Sequence, residues 1–241
     1  MKYITPLFFL IAIISCSPKN NTDNFIGSII PIYVYPEPNN PEYKKLLNIF
    51  VSKIVYVIMN PSDGPGNTVD TNFKSVMENL KQKNYKLIGY IYTKYGIRSI
   101  TDVINDIDTW YSLYPTIDGI FVDEVSSGSE SIYYYTTLYN YVKSKNQSDT
   151  VVLNPGVVPD TKYFEISDII IVAEIDEKTF LEEWNAEKIK AEKSAILIYG
   201  VLNKDSVIRK AISNNIAYIY ITDENPNTWY KISKYLQDIV K

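Results

Sequence analysis

The sequence of 241 residues has no histidine and only one cysteine. Without histidine there is no Ser-His-Asp or Cys-His centre, no imidazole general base and no His-ligated zinc. The lone Cys16 excludes an intrachain disulfide and a Cys-based metal cluster. No G-x-G-x-x-G loop follows the first strand-like run, where Tyr35-Pro36-Glu37-Pro38 stands instead, so a dinucleotide fold is disfavoured. Neither a metal nor another cofactor is expected. Positive charge is not in excess, with Lys+Arg 24 against Asp+Glu 28 and a net charge of -4, which gives no footprint for nucleic acid. Chemistry, if there is any, falls to carboxylates, tyrosines, lysines or a bound ion. What is abundant is apolar surface: 46% hydrophobic residues fit one domain with a full-sized core.

The amino terminus reads as an address. Met1-Lys2-Tyr3 is a short basic start, Leu7 to Ile14 is almost wholly apolar, and Ser15-Cys16 precedes a polar stretch. That order describes an export signal over residues 1–15, and its apolar core is shorter than the about 20 residues a bilayer span needs. Ile13-Ile14-Ser15-Cys16 resembles a bacterial lipobox, which implies a lipid on Cys16 and a polar tether over residues 16–28. The expected location is extracytoplasmic and membrane-anchored.

From Ile29 onward, β-branched or aromatic runs alternate with amphipathic stretches. Strands are expected at 29–35, 53–59, 86–92, 117–122, 150–154, 168–173, 194–199 and 216–221. Helices are expected at 41–50, 70–83, 100–114, 129–145, 160–165, 177–192, 204–214 and 227–240. Between residues 70 and 83, for example, Phe73, Val76, Met77 and Leu80 recur on one face. About eight βα units in residues 29–241, with strands apolar on both faces, point to a single α/β domain, a (β/α)8 TIM barrel. A monomer is expected.

Active sites of such barrels lie at the carboxyl ends of the strands. Those ends carry Tyr33 and Tyr35, Asn60, Tyr92, Asp123 and Glu124, Asn154, Glu174 and Tyr199. Three of these are carboxylates, and a carboxylate ending an apolar strand is costly to bury without purpose. Asp123 and Glu124 point to opposite faces of an ideal strand, so spacing leaves open which one meets Glu174. Opposed carboxyl groups are what glycosidic cleavage requires: one protonates the leaving oxygen, the other attacks or activates water. Tyr33, Tyr35, Tyr92 and Tyr199 offer ring faces for sugar CH groups, and Asn60 and Asn154 offer amides for hydroxyl or acetamido groups.

Five blocks, Ile32-Tyr33-Val34-Tyr35-Pro36, Asn60 to Gly66, Gly89 to Thr93, Asp118 to Glu124 and Asn154-Pro155-Gly156, resemble the spherulin-4 family. The resemblance implies a barrel glycoside hydrolase acting on galactosamine-containing polysaccharide, with Asp123, Glu124 and Glu174 at the family's acidic positions. The expectation is therefore an exported, lipid-anchored glycosidase. Its rivals are a catalytically silent carbohydrate-binding lipoprotein and a carboxylate-bound Mg²⁺ or Ca²⁺ site serving phosphoester chemistry.

Overall fold

A computed structural model describes residues 24–225 and 229–241. Eight strands, Gly27–Pro31 (β1), Ile54–Met59 (β2), Lys86–Tyr92 (β3), Gly119–Asp123 (β4), Thr150–Leu153 (β5), Ile169–Asp176 (β6), Ser194–Tyr199 (β7) and Tyr218–Ile221 (β8), are parallel and close in sequence order into a barrel. The seam between first and last strand runs through Gly27 and Tyr218. The helices are Pro41–Asn48 (α1), Thr71–Gln82 (α2), Ile100–Leu113 (α3), Ile132–Lys145 (α4), Glu177–Glu182 (α5), Lys204–Ser213 (α6) and Leu236–Val240 (α7), with a single 3-10 turn, Thr161–Glu165, between β5 and β6. This is the (β/α)8 barrel expected from the alternation.

Local chemistry explains the boundaries. Pro41 opens α1 after Asn40, whose side chain accepts the Glu42 N–H. Asp70 caps α2 by accepting from Asn72 and Phe73, and the face carrying Phe73, Val76, Met77 and Leu80 is buried as the spacing predicts. Each strand is nearly continuous apolar sequence because one face fills the barrel and the other meets helices. At Gly89 the α3 indole of Trp110 lies where a side chain would be: a Cβ there would fall 2.5 Å from the ring. The Trp110 indole N–H then donates to the Tyr90 carbonyl at 2.8 Å, seating α3 on β3.

Four boundaries differ from the sequence expectation. β1 begins at Gly27, inside the stretch read as tether, and ends at Pro31, so Tyr33 and Tyr35 lie beyond it. β6 runs on to Asp176, which places Glu174 within the strand. α5 ends at Glu182 instead of reaching residue 192: the Trp184 indole turns back to the Val172 carbonyl, and the Asn185 side chain accepts the Glu187 N–H, holding the chain in a turn. The helix expected at 227–240 is confined to Leu236–Val240, residues 226–228 lying outside the described residues. Its donors are engaged elsewhere, Ile232 N–H by Glu42 and Ser233 N–H by the Tyr220 hydroxyl. The export signal and Cys16 also lie outside the described residues. Among those residues no helix is long and apolar enough to cross a membrane.

Candidate active site

At the carboxyl end of the barrel a cleft of about 450 Å³ is lined by Tyr95, Asp123, Glu124, Asn154, Pro155, Gly156, Glu174, Tyr199 and Trp229. Asp123 reaches it by simple alternation. It shares a face of β4 with Phe121, whose ring stacks on Tyr90 of β3 at 6.1 Å, and the Tyr90 hydroxyl donates to Asp123 Oδ2 at 2.9 Å. Glu174 reaches it by a different route. Between Ile171 and Ala173 the register against β7 slips by one residue, a β-bulge at Val172. The bulge resets the alternation two residues before Glu174, so the face of that side chain is set by the bulge and not by the apolar run preceding it.

Asn154, only 7% exposed, joins the two acids. Its amide nitrogen donates to Asp123 Oδ1 and to Glu174 Oε2, both at 2.8 Å. Its amide oxygen accepts the Gly156 N–H at 3.0 Å, which fixes the orientation of the amide. The two carboxyl oxygens are thus held less than twice 2.8 Å apart by one nitrogen. A donor, the NH2 group, occupies the position between the acids. The second Glu174 oxygen, Oε1, accepts from the Trp229 indole at 3.2 Å.

Both acids titrate above the ordinary carboxylate range. For Glu174 the first cause is burial, opposed by the Asn154 hydrogen bond and reinforced by the negative charge of Asp123. For Asp123 it is again burial, opposed by hydrogen bonds from the Glu124 N–H, Tyr90 and Asn154, and reinforced by the charge of Glu124. Tyr33 lies beside them. Its ring meets Tyr90 edge-on at 5.8 Å, and its hydroxyl is held well above its usual range by burial and then by the charges of Asp123 and Glu174.

The other sequence-predicted positions divide. Glu124, with φ of 51°, turns out of the strand and also lines the cleft, where its carboxylate accepts the Lys94 N–H at 3.2 Å. Tyr199 lines the cleft and meets Trp229 edge-on at 6.3 Å. Tyr35 does not line it: its hydroxyl donates to Asp70, the cap of α2, because β1 has already ended. The amide oxygen of Asn60 is taken by the Gly64 N–H at 2.9 Å, so this side chain shapes the following loop. Tyr92 stands in register with Asp123 and borders a neighbouring depression.

Two cleft residues escape sequence reasoning or enter it only weakly. Trp229 falls in a segment whose periodicity suggests helix, and nothing local marks it as reaching back to β6. Tyr95 follows the third strand, where the sequence places it with the rim tyrosines but gives no role beyond that, and it lines the cleft. Lys94, Tyr95 and Gly96 have φ of 48°, 56° and 83°, three successive left-handed residues that hold Tyr95 63% exposed at the lip of the cleft.

Fold and site together are those of a closed (β/α)8 barrel with a carboxylate-lined cleft at the carboxyl ends of its strands. The chain belongs to the spherulation-specific family 4, whose model matches residues 28–241. It is 35% identical over 191 residues to Spherulin-4 of Physarum polycephalum, an alignment covering 78% of this chain and 56% of that protein, so the chain spans little more than half the relative's length. Among solved structures it is similar to Aspergillus clavatus Sph3 in complex with GalNAc, with a TM-score of 0.81 and 24% identity over 91% of this chain and 97% of the other. A beta-mannanase from Streptomyces thermolilacinus shares the barrel at a TM-score of 0.52 and 11% identity, covering 90% and 86% of the two chains. At these identities the structural likeness speaks for the fold.

Proposed function

We propose that the protein is a retaining glycoside hydrolase acting on a polysaccharide that contains galactosamine or N-acetylgalactosamine. The observation that carries this reading is the Asp123–Asn154–Glu174 bridge. Two carboxyl groups whose facing oxygens lie less than twice 2.8 Å apart fall on the short side, towards the separation of about 5–5.5 Å used by retaining enzymes and below the about 6.5–9.5 Å across which inverting enzymes place a water.

Asp123 has three donors stabilising its charged form, the Glu124 N–H, Tyr90 and Asn154, against two for Glu174, Asn154 and Trp229. Asp123 is therefore the nucleophile and Glu174 the acid/base. In the first step an Asp123 oxygen bonds to the anomeric carbon, the glycosidic C–O bond breaks, and the leaving oxygen takes the Glu174 proton. In the second, Glu174 takes a proton from water, the water oxygen bonds to the anomeric carbon, and the Asp123 ester is released. Tyr199, Trp229 and Tyr95 supply aromatic surface around the sugar. The amino-sugar assignment is supported by the GalNAc bound to the structurally similar Sph3.

The test is incubation of the protein body with a panel of galactosamine- and glucosamine-containing polymers, measuring released reducing ends. Release from a galactosamine polymer is expected. Tight binding with no release from any polymer would leave a silent carbohydrate-binding protein.

The address of the protein belongs to the same reading: a lipid on Cys16 tethers the barrel outside the cytoplasm. Cys16→Ser is expected to leave the protein unprocessed or to move it out of the membrane fraction. Unchanged membrane attachment in a fractionation blot would remove the anchor from the proposal.

A further inference from the structure

Beside the catalytic cleft, between the loop after β2 and the start of α3, lies a second depression of about 260 Å³, room for one sugar ring. It is lined by Ser62, Asp63, the Gly64-Pro65-Gly66 backbone, Asn67 and Tyr92, with Arg98 and Asp106 behind. The catalytic chemistry described above uses none of these residues, although the loop is one of the blocks singled out in the sequence.

The depression is preformed. Asp63, Gly64 and Gly66 have φ of 46°, 146° and 75°, and the loop is closed by the Gly64 N–H on Asn60 Oδ1 at 2.9 Å and the Ser62 N–H on the Gly64 carbonyl at 3.2 Å. Its aromatic wall is equally fixed. The Arg98 guanidinium covers the Tyr92 ring at 4.4 Å, pairs with Asp106 at 2.7 Å and donates to the Tyr92 carbonyl at 3.2 Å.

Position ties the depression to the catalytic acids. Tyr92 of β3 is in register with Asp123 of β4, so both side chains leave the same face of the sheet on neighbouring strands. The charge of Asp63 is felt by the Tyr90 hydroxyl, the group that donates to Asp123. Chemistry indicates the occupant. Among the described residues the side chains of Ser62, Asp63 and Asn67 make no hydrogen bond to the protein, so a carboxylate, an amide and a hydroxyl stand ready around a polar hollow beside a ring. Such a set matches the hydroxyl and amine groups of a pyranose.

We propose that this depression is a sugar subsite beyond the two units that flank the scissile linkage, in which a pyranose rests beside Tyr92 and gives its hydroxyl or amine hydrogens to Asp63 and Asn67. The proposal rests on the glycosidase reading and extends it to how the chain is gripped. Substrates long enough to fill the hollow are then cleaved more efficiently than short ones.

The experiment compares N-acetylgalactosamine oligosaccharides of two and six units on the wild type and on an Asp63→Gly/Asn67→Ala protein, glycine being suited to the left-handed backbone at residue 63. The ratio of kcat/KM for the hexamer to that for the dimer is expected to fall about tenfold, the loss of one to two hydrogen bonds of which one is to a charged group. In a Glu174→Gln background, which holds substrate without turning it over, hexamer affinity is expected to fall by a similar factor. An unchanged ratio together with unchanged affinity overturns the subsite while hydrolysis stands. Hexamer binding that depends on Asp63 in a wild type releasing no reducing ends upholds the subsite and overturns hydrolysis. No hexamer binding by either protein overturns both.

Discussion

Glu174→Gln is expected to lower kcat by about 10³-fold or more on any polymer the wild type cleaves, with the barrel intact by circular dichroism. The amide keeps the shape of the side chain and an oxygen for the Trp229 or Asn154 donor, but it has no proton to give the leaving oxygen and none to accept from water. Positioned proton transfer contributes about 10²–10⁴-fold. The same substitution is expected to change stability in a definite direction. Burial raises the folded-state pKa of Glu174, so the native protein holds this proton more tightly than the unfolded chain does. The resulting stabilisation is complete below the ordinary carboxylate range and is lost as pH rises through the raised folded-state value. Glu174→Gln removes that loss, so its melting temperature falls less than the wild type's between pH 4 and pH 7. A variant with wild-type turnover, or with an unchanged pH slope of Tm, would dissociate Glu174 from the role given it.

The second large effect is expected at Asn154. Asn154→Ala removes one nitrogen that serves both acids, leaving each with one donor fewer in a desolvated cleft. That nitrogen's hydrogen bonds lower the pKa of Asp123 and of Glu174, so without it both rise further. The wild-type rate is expected to follow a bell with its optimum on the acidic side of neutrality, the acidic limb reporting ionisation of the pair's nucleophile and the alkaline limb loss of the acid's proton. In Asn154→Ala the acidic limb moves to higher pH and kcat falls about 10²-fold, while kcat/KM falls in parallel because the defect lies in the reacting state. A pH–rate profile that drops uniformly without moving would make Asn154 a packing residue and not the link between the acids.

The barrel was legible in the sequence because its determinants are local. Runs such as Ile54–Met59 and Lys86–Tyr92 are apolar on both faces, and the helices between them carry caps and faces that can be counted, as at Asp70 and Phe73. Asp123 and Glu124 were legible as a strand-end pair but not told apart, because alternation from Phe121 selects Asp123 only once β4 is known to stay regular through it and the chain to turn at Glu124. Glu174 could be placed near the mouth but not aimed, because the bulge at Val172 arises from pairing with β7 and has no sequence mark. Asn154 was legible as a strand-end amide, yet its bonding to two acids from neighbouring strands depends on barrel closure. Trp229 was missed because its partner Glu174 lies 55 residues away in the chain. Tyr35 failed as a rim residue because β1 ends at Pro31, four residues too early to carry it into the cleft.

The most direct measurement follows the anomeric proton of the first product by NMR as the wild-type protein cleaves an N-acetylgalactosamine polymer. With Asp123 and Glu174 bridged through one amide nitrogen, the product is expected to appear first in the anomeric configuration of the polymer and to mutarotate afterwards. A product released first in the opposite configuration would contradict the covalent role of Asp123, and a polymer left uncut would contradict the hydrolase itself.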